Sequence, residues 1–320
     1  MDVTPFAKIG PEAWDAFCDR SPDAWAWHTS AGLRLGRSFT EGAENLSFGL
    51  QKDGTLIAVV PLILERGASG EAECAMGGTA IPFPACSPAL DEEEKKEVLD
   101  SIFAEIDRVA RERGVGCAIF SVDPMAPSAA SLREHPLLRY GFKDTSIETS
   151  VIDLAQSEEE LLARMGKGHR GDILFAQKSA YRADIVESSP TACEEFKKLY
   201  FAAAGKEIGT PERWRSIEQL FAEKKLLFVF GEGGAVAALV YKRRAYYMLS
   251  GTLPAVRAER RGLGSHLQWA LIRHLRQHNY TQYELGWQEA ASPKEEAIAA
   301  YKRHFGGEAV PLRRGAKYYR

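Results

Sequence analysis

The chain lacks most of the features that settle a function at a glance. Its five cysteines, Cys18, Cys74, Cys86, Cys117 and Cys193, include no C-x-x-C pair and make an odd total. That excludes a disulfide framework and a cysteine-based zinc module, and leaves reduced thiols in a cytoplasmic protein as the expectation. Seven histidines fall without H-E-x-x-H or His/Cys grouping, so no metal is expected. Neither sign of charge prevails: 41 Lys and Arg stand against 44 Asp and Glu. The basic footprint of a DNA-binding module is therefore absent, and no DNA partner is expected. No apolar run is long enough for a membrane span. The most apolar stretch, "LLFVFGEGGAVAALVY", is broken by Gly231-Glu232-Gly233-Gly234 and reads as two strands joined by a hairpin turn. The opening "MDVTPFAKIGPEAWDAF" puts acids and a proline where a signal peptide needs a basic start and an apolar run.

What is present is a pattern of mixed helices and strands over 320 residues, enough for two domains. Short helices are expected over 11–20 and 29–38, and a hairpin around Asp53-Gly54. "MGGTAIPFPACSPAL" reads as a loop, and the acid-led, glycine-stopped segment from Asp91 to Gly114 as a helix followed by the strand "VGCAIFSVDP". From about residue 150 the order restarts. A strand "VIDLAQ" precedes a helical region whose Ser157 and Glu160 fit a capping box. Helices over 191–204 and 211–224 lead to strands at 226–231, 235–242 and 245–252, then a glycine turn with its helix, the strand "QYELGW", and the helix "SPKEEAIAAYKRHFG". Two mixed α/β domains, 1–150 and 151–320, follow from this order, without any repeat at residue level.

The turn "AERRGLGSHL" is the first candidate site. The leading amides of a helix have no internal partners, and its dipole makes that end an anion site. Gly262 and Gly264 let a phosphate reach the backbone around Leu263, Arg260 and Arg261 bring charge, and Ser265 adds a hydroxyl. A glycine pair at a strand–helix junction also serves as a plain tight turn, and both readings stand at this point. A dinucleotide fingerprint is excluded, because Leu267 occupies the position of its third glycine. In "RMGKGHRGDILFAQK" the glycines make a poor helix interior, so part of it is expected to be a loop offering Lys167 and Arg170 to an anion; the alternative is a solvated helix face. Trp25, Trp27 and His28 are core residues or a stacking platform for a sugar. Tyr246 and Tyr247 alternate on a strand, so one of them, with Tyr247 as the candidate, faces any cleft there.

"RRGLGSHL…AIAAYKRHFGG" resembles the two signature segments of the GNAT N-acyltransferase superfamily, with Glu259 where such loops have Gln or Arg and Phe305 ahead of the glycine. The resemblance implies that the loop Arg260–Ser265 holds the pyrophosphate of acetyl-CoA or another acyl-CoA, and that Tyr301 protonates the departing thiolate. A longer and more diffuse likeness, over "LIAVVPLIL", "YGFKDTSIETSVIDLAQSEEELLARMGKGHRGDILFAQKSAY" and "YELGWQ…YKRHFGGE", is to the FemAB-type proteins. These have two tandem GNAT-like domains, each a mixed twisted sheet flanked by helices. They include aminoacyl-tRNA-dependent transferases acting on peptidoglycan precursors. It implies that the N-terminal domain is a degenerate copy forming an acceptor wall, that Lys302 lies at the transfer centre, and that Arg170 binds acceptor phosphates. Either donor requires a base near the attacking amine, and Glu284 at the end of "QYELG" is the candidate. The leading expectation is an acyl-CoA-dependent N-acyltransferase with a small anionic amine acceptor from envelope or polysaccharide metabolism. The alternatives are an aminoacyl-tRNA-dependent transferase and a non-catalytic binding protein.

Overall fold

The computed structural model describes residues 1–67, 69–129, 132, 134–290 and 292–319. It forms two compact units. The first comprises Met1–Ser146, Thr210–Ser216 and Leu312–Arg320, the second Ile147–Gly209 and Ile217–Pro311. A single division at residue 150 is thus displaced in two places. The closing segment leaves the 151–320 half and returns to the first unit as the strand Arg314–Tyr318, paired antiparallel with Val115–Ser121. Among the described residues no helix is long and apolar enough to cross a membrane.

In the first unit, Asp53 and Gly54, both at positive φ, close the hairpin between Phe48–Lys52 and Thr55–Val60. Asp2–Pro5 and Ala85–Cys86 complete a four-stranded sheet. A second sheet is built around Val115–Ser121, and the helix Glu92–Glu112 lays Val98, Ile102, Phe103, Ile106 and Ala110 into the core that both sheets share. That helix starts at Asp91, whose carboxylate accepts from the Glu94 amide while Glu94 reaches back to the Asp91 amide. Trp25 and His28 belong to this interior. His28 accepts from the Trp25 amide at Nδ1 and bonds the Phe83 carbonyl at Nε2, so the core reading of these residues holds.

The second unit is organised on a seven-stranded sheet in the order Asp184–Val186, Leu226–Gly231, Gly234–Tyr241, Arg244–Thr252, Gln282–Trp287, Ile147–Asp153, Glu308–Leu312. The helix Leu263–Gln277 connects the parallel strands Arg244–Thr252 and Gln282–Trp287 and buries Leu263, Leu267, Leu271, Ile272 and Leu275 against the sheet. Ala192–Ala204 packs on the strands Gly234–Tyr241 and Arg244–Thr252. With neighbours on both sides, Gly234–Tyr241 is apolar at nearly every position, as its sequence reads.

Candidate active site

The parallel pairing that the crossover helix creates is short. Arg244, Ala245 and Tyr246 face Gln282, Tyr283 and Glu284, and there the ladder ends, although both strands run on to Thr252 and Trp287. Tyr247 to Thr252, past the point of parting, line a cleft of about 750 Å3. On its other side the first of these strands carries a bulge: Ala237 pairs Leu249 and Ala238 pairs Tyr247, leaving Met248 between them. Bulges re-aim side chains and recur beside active sites.

The glycine turn opens onto this cleft, and its two glycines do different work. Gly262 precedes the helix at φ 77°, and a Cβ there would lie 2.6 Å from Asp172 Cβ and 2.7 Å from the Asp172 carbonyl oxygen. It is glycine for packing against the helix Lys167–Lys178. Gly264 is not crowded in this way. A Cβ on it would stand 3.6 Å from the Tyr301 hydroxyl and 4.0 Å from Thr252 Oγ1, so bare backbone faces the cleft in the helix's first turn. We therefore expect Gly262→Ala to destabilise the protein by about 1–2 kcal/mol from the left-handed backbone alone, with the clash in addition. Gly264→Ala should stay within about 1 kcal/mol, helix propensity favouring the alanine. Urea unfolding of the two variants checks the contrast.

Leu263 and Ser265 also line the cleft, as do Arg257, Arg260 and Lys294. Arg260 forms an ion pair with Glu232, and its guanidinium lies 5.2 Å over the Tyr181 ring. Arg261 does not line the cleft: its Nε donates to Asp172 Oδ1 at 2.7 Å and its side chain is 70% exposed. The short helix Pro254–Glu259, which the pattern of the sequence did not announce, carries Arg257 to the cleft instead.

Tyr301 and Lys302 come from the helix Pro293–Arg303, whose Ser292 cap accepts from the Glu295 amide. The Tyr301 ring is held edge-on by Phe305 at 5.0 Å and lies 4.9 Å from His169. Burial raises its pKa well above the ordinary tyrosine value, so it carries its proton at any working pH. Lys302 Nζ donates to the Trp287 carbonyl at 2.9 Å and lies 5.6 Å over the Tyr247 ring. Burial brings its pKa down to about 8, with the Glu284 carboxylate opposing the fall. Tyr247 itself lines the cleft, hydrogen-bonded to the Ser250 hydroxyl.

Three further candidates lie off the cleft. Glu284 does not line the cleft; it is 4% exposed, accepts from Thr149 Oγ1 at 2.9 Å, and acts on Lys302 through its charge. On a central strand covered on both faces, the side opposite Tyr283 is also interior. Lys167 and Arg170 do not line the cleft either, because the segment is a helix, Lys167–Lys178, begun at Gly166. Ile173 and Ala176 anchor it in the core, which outweighs the poor propensity of Gly168 and Gly171. The residues it turns to the cleft are His169 and Asp172, which the sequence offered only as members of a charged run. The fold also brings Glu187, His274 and His278 together at the far end of the helix Leu263–Gln277, with His274 Nε2 3.0 Å from Glu187.

Residues 232–303 match the acetyltransferase (GNAT) domain family. They span the parting strands, the glycine turn and Tyr301 and Lys302. FemX superimposes on the chain with a TM-score of 0.70 at 12% identity, covering 100% of this chain and 98% of its own. The fold is that of the tandem GNAT proteins of FemAB-like type. A tandem GNAT protein from the clavulanic acid biosynthesis pathway matches with a TM-score of 0.57 at 13% identity, over 99% of this chain and 98% of its own. A domain described as the C-terminal part of a lysylphosphatidylglycerol synthetase from Agrobacterium fabrum gives 0.57 at 15% identity, over 96% and 92%. No curated protein matches the chain in sequence. The residues that match this domain family, 232–303, all lie in the second unit.

Proposed function

We propose that the protein is a cytoplasmic N-acyltransferase. It moves an acyl group from acyl-CoA to the amine of a small anionic precursor of the cell envelope or of a polysaccharide. The observation that carries this reading is the convergence of Gly264, at the amide end of a helix, and Tyr301 on one cleft between parted strands. The residues fit a diphosphate-bearing thioester. Bare backbone at Gly264, the Ser265 hydroxyl and the cations Arg257 and Arg260 are suited to the pyrophosphate. Tyr301 is suited to protonate the leaving sulfur, and Lys302 to stabilise the developing oxyanion. Glu284 serves behind Lys302 and not at the amine.

Thermal unfolding with acetyl-CoA tests this. At about 100 times its dissociation constant a ligand stabilises by about 2.7 kcal/mol, a shift of several degrees for a unit of this size. We expect that shift in the native protein and its loss in Gly264→Val, whose side chain enters the cleft. No shift at any acetyl-CoA concentration overturns the donor assignment. The second reading, an aminoacyl-tRNA donor, is favoured by the likeness to FemX over the whole chain, and charged tRNA is then the donor to test.

A further inference from the structure

The helix Leu263–Gln277 carries reactive side chains at the end away from the cleft as well. Its last turn and cap hold His274 and His278, four residues apart, so both rings stand on one face with centroids 4.0 Å apart. Glu187, one residue beyond the strand Asp184–Val186, meets them there. One nitrogen from each ring and a carboxylate oxygen lie within 4.8 Å of one another, and His274 Nε2 is 3.0 Å from Glu187 Oε1. Two donors each about 2.0–2.1 Å from one ion stand about 2.9 Å apart at a right angle and about 3.4 Å apart at the tetrahedral angle. The separation of 3.0 Å falls in that range. A plain hydrogen bond has the same length, so the third residue decides. His278 brings a second imidazole to a pair that one hydrogen bond would already satisfy. Its Nδ1 donates to the His274 carbonyl at 2.9 Å, which puts the lone pair of the neutral ring on Nε2. A ring N–H held by a carbonyl is the support that metal-ligating histidines commonly have.

We propose that Glu187, His274 and His278 bind a zinc-class divalent ion, which ties the end of the edge strand Asp184–Val186 to the last turn of the helix Leu263–Gln277. The surroundings suit a cation. The site is open to solvent, with the Glu187 side chain 53% exposed, while His274 at 12% is held against the helix. It lies at the carbonyl end of that helix, where the dipole favours positive charge. Arg273 and Arg276, the helix's own arginines nearby, are engaged elsewhere, by Glu158 and by the Gln156 carbonyl. Two imidazoles and a carboxylate without a thiolate suit Zn²⁺, with water in the remaining position. The histidines have the spacing of a helical zinc pair, but Leu275 stands where H-E-x-x-H has its glutamate, so the ion is structural and not hydrolytic. The third ligand comes from a separate segment, which is why the sequence shows no complete set. Asp184–Val186 is three residues long and is paired on one side, with Leu226–Gly231. Few hydrogen bonds hold it, and a link through the ion adds to them.

Calorimetric titration of the full chain with Zn²⁺, reduced, without a histidine tag and at neutral pH, tests the proposal. It should find one ion per chain with a dissociation constant in the micromolar range or below, and Mg²⁺, which prefers all-oxygen sites, should not bind. Co²⁺ in place of Zn²⁺ should show the visible bands of nitrogen and oxygen coordination and no near-ultraviolet thiolate band, which separates this site from the cysteines. His278→Ala and Glu187→Gln should each weaken Zn²⁺ by at least about 10-fold, since even an outer partner of a metal ligand is worth about 10–100-fold. Saturating Zn²⁺ should also slow amide hydrogen exchange across Asp184–Val186 in the native protein and in neither variant. No binding tighter than millimolar, a thiolate band with Co²⁺, or an affinity unchanged in either variant overturns the site. Binding that leaves exchange in Asp184–Val186 unaltered overturns the tie. Both substituted residues are exposed, so the variants are expected to fold, and the Co²⁺ spectrum of the native protein decides the ligand class without them. None of these readouts involves turnover, so the outcome is independent of the acyltransferase reading.

Discussion

Lys302→Met is expected to lower kcat by about 10²–10³-fold, with little change in KM for acetyl-CoA, because it removes a cation that matters only while charge develops on the carbonyl oxygen. The environment of Nζ makes that charge conditional. The Trp287 carbonyl and the Tyr247 ring are its neighbours, and the Glu284 carboxylate is what holds its pKa as high as about 8. Activity that depends on the ammonium should therefore fall as pH rises through about 8. In Glu284→Gln, where Thr149 Oγ1 can still donate to the amide oxygen, the alkaline limb should move to lower pH. Comparing variant with wild type at each pH cancels the titration of the acceptor's own amine. Stability has the opposite sign. The folded pKa lies below the unfolded value of 10.5, so the unfolded chain binds more protons between the two, and stability rises with pH from about 8 to 10.5. Lys302→Met should remove that rise. A variant that keeps its kcat, or an unmoved limb in Glu284→Gln, removes Lys302 from the transfer centre.

The features that were legible in the sequence are the ones set by local chemistry. Ser157 and Glu160 form the capping box that their spacing predicts, Asp53-Gly54 turns its hairpin, and Gly262 stands at the helix start in a backbone that favours glycine. Other features depend on what packs against them. Strand alternation puts Glu284 on the side away from Tyr283, but in a sheet covered on both faces that distinguishes two interiors, not core from cleft. Arg260 and Arg261 are adjacent and equally basic; only the position of Asp172 decides that the second is drawn away. Gly168 and Gly171 argue locally against a helix that Ile173 and Ala176 secure from the core. His169 becomes distinctive once the helix Pro293–Arg303 sets Tyr301 beside it, and nothing within its own segment carries that information.

Tyr301→Phe is the second large effect, and its size reports on the donor. The substitution removes one oxygen and leaves the contacts of the ring with Phe305 and His169 in place, so folding and the acetyl-CoA thermal shift should be retained. Because Tyr301 stays protonated far above neutral pH, its loss should lower kcat by a similar factor across the working range and add no limb to the profile. General acid catalysis of this kind contributes about 10²–10⁴-fold. A thiolate leaves readily without its proton, whereas a ribose alkoxide does not. With a thioester donor the loss should therefore fall toward the lower end of that range, and with an aminoacyl ester toward the upper end.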